Sequence, residues 1–196
     1  MNTLILIRPG ATLFDEERRI VGALDVPLSD RGFIEANELA ARFIGFEDAE
    51  RVAAIYCGPS ECVCRTAEIL GKAVGLRPKR LDDLRNLNQG LWQGLPLDEV
   101  RRRYQKNFRQ WLEDPSSICP PLGENVEEAL GRVRNALRPI LKRHLREAIA
   151  VVVAEPLAGL IACTLNGRPL QPLDDEPVAS IERIEIHPDY LRNGKH

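Results

Sequence analysis

Two short apolar runs, Thr3 to Ile7 and Ala150 to Ala154, show no alternation of polar and apolar residues. A strand that is apolar on both faces needs cover on both, and a parallel sheet with helices above and below supplies it. Both runs are therefore expected to be central strands. A third strand is expected over Val52 to Tyr56, leading through Cys57-Gly58-Pro59 into a helix over Glu61 to Val74, and a short one over Pro78 to Leu81. Helical stripes fill the gaps. Ala36, Leu39, Ala40 and Phe43 share a face after Ser29-Asp30, while Val126, Ala129, Leu130, Val133, Leu137, Ile140 and Leu141 form a longer stripe that Pro139 should kink. Strands that alternate with helices predict an α/β fold, a three-layer sandwich with a largely parallel central sheet. In such sheets the ligand crevice lies beyond the carboxyl ends of the strands, here Arg8-Pro9, Cys57-Gly58 and Ala154-Glu155. After Asn166 the chain is proline-rich and then carries an expected edge strand, Ile181 to Ile186.

At 196 residues and 44% hydrophobic composition the chain suits one core, so residues 1–196 are read as one domain. Twenty-seven basic residues against 29 acidic ones leave a charge of −2, which gives no global attraction to nucleic acid or to an anionic membrane. The apolar run Leu4 to Ile7 lacks a basic flank and stops at Arg8, too short for a signal peptide or a membrane span. A cytoplasmic protein with five reduced cysteines and no disulfide is expected. Cys57, Cys62 and Cys64 invite a metal reading, but the last two lie two apart on a helix and diverge, so no metal is assigned.

Leu6-Ile7-Arg8-Pro9-Gly10-Ala11-Thr12, followed by Arg19-Ile20-Val21-Gly22 and Leu24 to Ser29, resembles the opening of the histidine phosphatase superfamily in its phosphoglycerate-mutase-like branch. The likeness continues in family order. Tyr56 to Pro59 with Arg65 to Leu70, then Leu91 to Leu95, Pro121 to Glu124 and Val151 to Ala154 resemble its later motifs. The resemblance implies phosphoryl transfer through a phosphohistidine, without a cofactor, and places specific groups at specific positions of this chain.

At those positions the expected chemistry is missing. The nucleophilic imidazole would stand at Pro9, whose ring offers no lone pair. Arg8 matches the first phosphate-binding arginine, but the second falls at Cys62, and Arg65 is out of register. The general acid falls at Asn86, an amide that cannot release a proton at useful pH, and the second histidine falls at Glu155. Asp15 stands where the family places a phosphate-binding asparagine. With Arg8 at +1 and Asp15 and Glu155 at −1 each, these positions carry a net charge of −1.

Plain structural roles compete with each of these readings. Pro9 keeps Arg8 extended, as suits the end of a strand, and Glu155 can cap the helix that follows Pro156. Cys62 beside Arg8 could become a nucleophilic thiolate, although the acidic Glu61 stands where a thiol phosphatase places backbone amides. Arg101-Arg102-Arg103 with Lys106 and Arg109 interleaves with Tyr104, Phe108, Trp111 and Leu112, which reads as a solvated face over an apolar underside. His144, His187 and His196 lie at no motif position and are expected at the surface.

The leading expectation is that the chain is not an enzyme. It would be a pseudo-phosphatase that binds a small molecule or a protein partner, with neither nucleic acid nor membrane as a partner and a second copy of the chain left open. The candidate ligand-binding residues are Arg8, Asp15, Arg19, Cys62, Asn86 and Glu155. The rival expectation is an active phosphomonoesterase or phosphoglycerate-mutase-like enzyme that uses groups such as Cys62, and the third is a structural subunit with an empty pocket.

Overall fold

The computed structural model describes residues 2–46, 49–114, 119–145, 147–168, 179–187 and 190. Its frame is a five-stranded sheet in the order β3-β2-β4-β1-β5, with β1 at Asn2–Arg8, β2 at Val52–Cys57, β3 at Lys79–Arg80, β4 at Ala148–Val152 and β5 at Ser180–Ile186. Three of the four strand pairings run parallel, and at one edge β5 pairs antiparallel with β1 from Asn2↔Ile186 to Arg8↔Ser180. The fold is the α/β sandwich that the apolar runs predict. Two boundaries differ. β4 begins and ends two residues earlier than expected, because Thr3 registers with Ala148 and Ile7 with Val152. The strand expected over residues 78–81 shrinks to two residues, both exposed, at the sheet edge.

Side chains alternate across the sheet and build a core on each face. Leu4, Leu6, Tyr56, Ile149 and Val151 meet α6 (Val126–Arg143) and α7 (Leu157–Asn166) on one side. On the other, Ile5, Ile7, Ile55, Ala150 and Val152 meet α2 (Asp30–Ile44) and α3 (Glu61–Val74). Both central strands are thus buried on both faces, which is why neither alternates in sequence. The helices begin and end where local chemistry dictates. Ser29 accepts from Gly32 N to open α2, Asn125 accepts from Glu128 N to open α6, and Gly75 at φ 72° closes α3. Pro139 lies within α6, which still runs on to Arg143.

The basic run divides between α4 (Leu97–Arg103) and α5 (Gln105–Glu113). Arg102, Arg103, Lys106 and Arg109 are exposed, while Val100, Phe108 and Trp111 are buried against Trp92, whose ring meets that of Trp111 edge-on at 6.2 Å. The apolar underside expected for this segment is present. Among the described residues no helix is long and apolar enough to cross a membrane, and no group of His, Cys, Asp and Glu could hold a metal ion.

Candidate active site

The carboxyl ends of β1, β2 and β4 converge because their loops are tied to one another. Val153 N donates to Ile7 O, and Gly58 N donates to Val152 O. Beyond them opens a crevice of roughly 390 Å³, its mouth included, lined by Arg8, Pro9, Gly10 and Ala11 with Thr12, Asp15, Val21, Cys62, Ala154 and Glu155. Arg8 is the only cationic side chain among these. Its Nε donates to Glu155 Oε1 at 2.5 Å, and its Nη1 donates to Glu182 Oε2 at 3.1 Å from β5. Burial works against the guanidinium charge, yet the Glu155 carboxylate and then Glu182 outweigh it and raise the Arg8 pKa.

Glu155 fills two roles at once. Its second oxygen accepts from Gly159 N at 3.0 Å in the first turn of α7, the capping expected from its place before Pro156. A side chain at Gly159 would put its Cβ 3.0 Å from that oxygen, a tight contact that the carboxylate would have to shift to relieve.

The first loop closes its own donors. Gly10 N donates to Thr66 Oγ1 at 3.4 Å, Ala11 N to Glu35 Oε2 at 2.9 Å, and Thr12 N to Asp15 Oδ2 at 2.7 Å. Three successive amides that could cradle an anion are thus directed at side chains of the same protein. Gly10 is required here by close approach, since a Cβ would lie 2.0 Å from Gly32 O at the start of α2. Thr66, Glu35 and Glu182 escape a sequence reading because each acts across a long separation in the chain. Asp15 does carry a local signal, since Thr12 and Asp15 form a reciprocal capping box on the one-turn helix α1 (Leu13–Glu16).

Cys62 lies in α3 at the crevice wall, almost fully buried, with Ser60 Oγ 3.7 Å from its sulfur. Burial pushes its thiol up to about 11, with Ser60 lowering it and the Asp15 charge raising it further. Cys64 points away, donating to Gly58 O at 3.3 Å, as expected for residues two apart on a helix. Arg65 is turned outward, paired with Glu68 and stacked over Phe33.

Two of the candidate ligand-binding residues lie outside the crevice lining. Arg19 does not line the crevice, because its Nε is held by Glu17 and its Nη1 donates to Gly94 O at 3.0 Å. Asn86 is absent from the lining as well. Its Nδ2 donates to Gly22 O and Glu155 O, and its Oδ1 accepts from Leu87 N and Leu157 N, so the amide is spent on joining three loops. The crevice brings together Arg8, Asp15, Cys62 and Glu155 around Pro9. No described histidine lines it. His144 ends α6 and pairs with Glu147, His187 follows β5, and His196 lies outside the described residues.

The family model for the histidine phosphatase superfamily (branch 1) matches residues 4–193. The chain belongs to that superfamily. It is 29% identical over 167 residues to phosphoserine phosphatase 1 of Hydrogenobacter thermophilus, covering 85% of this chain and 77% of that protein. Among solved structures it superposes on YhfR of Bacillus stearothermophilus with a TM-score of 0.83 and 28% identity, over 96% of this chain and 93% of that one. The fold is also that of the mycobacterial glucosyl-3-phosphoglycerate phosphatase, with a TM-score of 0.86 at 22% identity, over 97% and 94% of the two chains. The first of these relatives corrects one expectation. The substitutions at Pro9, Cys62, Asn86 and Glu155 led to a chain that is not an enzyme, whereas its relative from Hydrogenobacter thermophilus is named a phosphatase and points to an enzyme.

Proposed function

We propose that the chain is a phosphate-monoester hydrolase of this superfamily whose crevice works without a phosphohistidine. One observation carries the reading: Arg8, Asp15 and Cys62 line the same crevice at the carboxyl ends of the strands. In this reading Pro9, Cys62, Asn86 and Glu155 occupy the positions of the family's nucleophile, second arginine, acid and second histidine. Cys62 supplies the nucleophile. Arg8 holds the phosphoryl oxygens and offsets the charge that develops on them. The Cys62 thiolate, its proton already lost to solvent, forms a bond to phosphorus while the ester P–O bond breaks, and the departing oxygen takes its proton from water. Water then cleaves the S–P bond, releasing inorganic phosphate and restoring the thiol.

The elevated thiol sets the expected pace. With a pKa of about 11, roughly one thiol in ten thousand is ionised at pH 7, so turnover should be slow and should climb about tenfold per pH unit toward pH 10. Extensively purified protein and a Cys62→Ser variant are to be compared on an activated aryl phosphate from pH 6 to 10. The rising limb should disappear in the variant. Turnover that is flat with pH, or insensitive to Cys62, would remove the thiol from the mechanism.

A further inference from the structure

The crevice contains its own anion. Arg8 is the only cationic side chain among the described residues that line it, and its guanidinium is engaged by Glu155 at 2.5 Å and Glu182 at 3.1 Å. Of these two carboxylates only Glu155 belongs to the lining, and it is held in place twice, by Arg8 and by Gly159 N at 3.0 Å. The neighbouring amides of residues 10–12 cannot substitute, since Thr66, Glu35 and Asp15 already accept from them. An incoming phosphoryl group therefore has one cationic partner within the crevice, and a carboxylate of the protein is already on it.

We propose that Glu155 is a built-in competitor for the anion site: Arg8 exchanges the Glu155 carboxylate for the ligand's phosphoryl group, and Glu155 thereby sets how tightly the crevice takes a phosphate ester. The proposal rests on the reading of the crevice as a phosphate-ester site. Glu155 acts here as a positioning and selectivity residue, since the group it controls is the Arg8 guanidinium. Release costs the protein one charge-assisted contact, while the Gly159 bond gives the displaced carboxylate a position to retain. Glu182 approaches Arg8 from β5, outside the lining, so its loss should matter less.

The test measures binding rather than turnover, so it stays readable whether or not the wild type hydrolyses anything. Inorganic phosphate and orthovanadate are titrated by calorimetry and thermal shift into the wild type, Glu155→Gln, Glu155→Ser and Glu182→Gln. Glu155→Gln leaves an oxygen that can accept from Gly159 N, and Glu155→Ser removes the carboxylate with a shorter side chain, so if one fails to fold the other decides. Removing a carboxylate about 4 Å from a bound anion, with solvent screening allowed for, should tighten binding roughly tenfold or more. Glu182→Gln should change it less than about threefold. A tenfold gain confined to position 155 supports the competitor. Unchanged affinity in the folded Glu155 variants, or an equal gain in Glu182→Gln, overturns it.

Discussion

Two arginine–glutamate pairs, Arg8–Glu155 and Arg132–Glu124, sit on either side of Asn86 and put the same chemistry to opposite uses. Arg132 Nε and Nη2 both donate to Glu124, while Nη1 donates to Asp83 O and Arg85 O, and Nη2 also donates to Asn86 O. Both terminal nitrogens of that guanidinium pin loops of main chain. Arg8 instead makes both of its described bonds to carboxylates and forms part of a crevice wall. Asn86 connects the pairs, since its carbonyl accepts from Arg132 and its amide donates to Glu155 O. A pair saturated by main-chain carbonyls is a fixed joint. A pair of side chains facing a crevice can exchange partners.

The largest expected effect breaks the fixed joint. Arg132→Met takes the main partner from the Glu124 carboxylate, 11% exposed, leaving it the Asn88 amide and the more distant Arg85, and strands three loop carbonyls, so unfolding free energy in urea should fall by about 2–4 kcal/mol. Arg8→Met leaves Glu155 its bond from Gly159 N and leaves Glu182 at 33% exposure, where water can reach it, and strands no main-chain carbonyl, so it should cost less, about 1–2 kcal/mol. Equal losses in the two variants would show that the crevice pair is as structural as the other.

A smaller effect separates the two regions by pH. The Cys62 thiol ionises more easily in the unfolded chain, near its ordinary value of 9, than in the fold at about 11. The folded state therefore retains the proton that the unfolded state loses, and the stability present below pH 9 declines as pH rises through 11. Cys62 should contribute a fall of up to about 1.4 kcal/mol per pH unit over that window, and Cys62→Ala should lessen the slope of stability against pH by that amount. The joint behaves in the opposite sense. Burial would raise Glu124, but the hydrogen bond and charge of Arg132 outweigh it and hold the carboxyl below its usual range, so its contribution is lost only as pH falls through that lowered value. Denaturation profiles of Cys62→Ala and Glu124→Gln that differed from wild type over the same pH range would sink this division.

The frame was legible in the sequence because burial on both faces erases alternation, and β1, β2, β4 and α3 lie within two residues of where the apolar runs place them. Motif order correctly brought Arg8, Asp15, Cys62 and Glu155 to one crevice. What it could not show was occupancy. The bonds from Arg8 to Glu155 and Glu182 span 147 and 174 residues, and no local pattern marks a carboxylate as the partner of an arginine that distant. Asn86 shows the same limit, because an amide that joins three loops looks the same in sequence as one that faces a ligand.

The smallest expected effect concerns Arg19, whose place outside both regions can be tested directly. Its side chain is 36% exposed, its pairing with Glu17 lies at the surface, and its one main-chain bond goes to Gly94 O. Exposed pairs contribute little after screening, and a single hydrogen bond to a carbonyl adds modestly, so Arg19→Met should cost under about 1 kcal/mol. Orthovanadate affinity should stay within about twofold of wild type, because the charge sits on the loop that pairs with residue 94 and not in the crevice lining. Combining Arg19→Met with Glu155→Gln sharpens the result. If Arg8 alone receives the anion once Glu155 is removed, the double variant should bind orthovanadate as tightly as Glu155→Gln. A clear loss in the double variant would mean that Arg19 leaves Glu17 to meet the anion, and the crevice would then have to be redrawn around two cations.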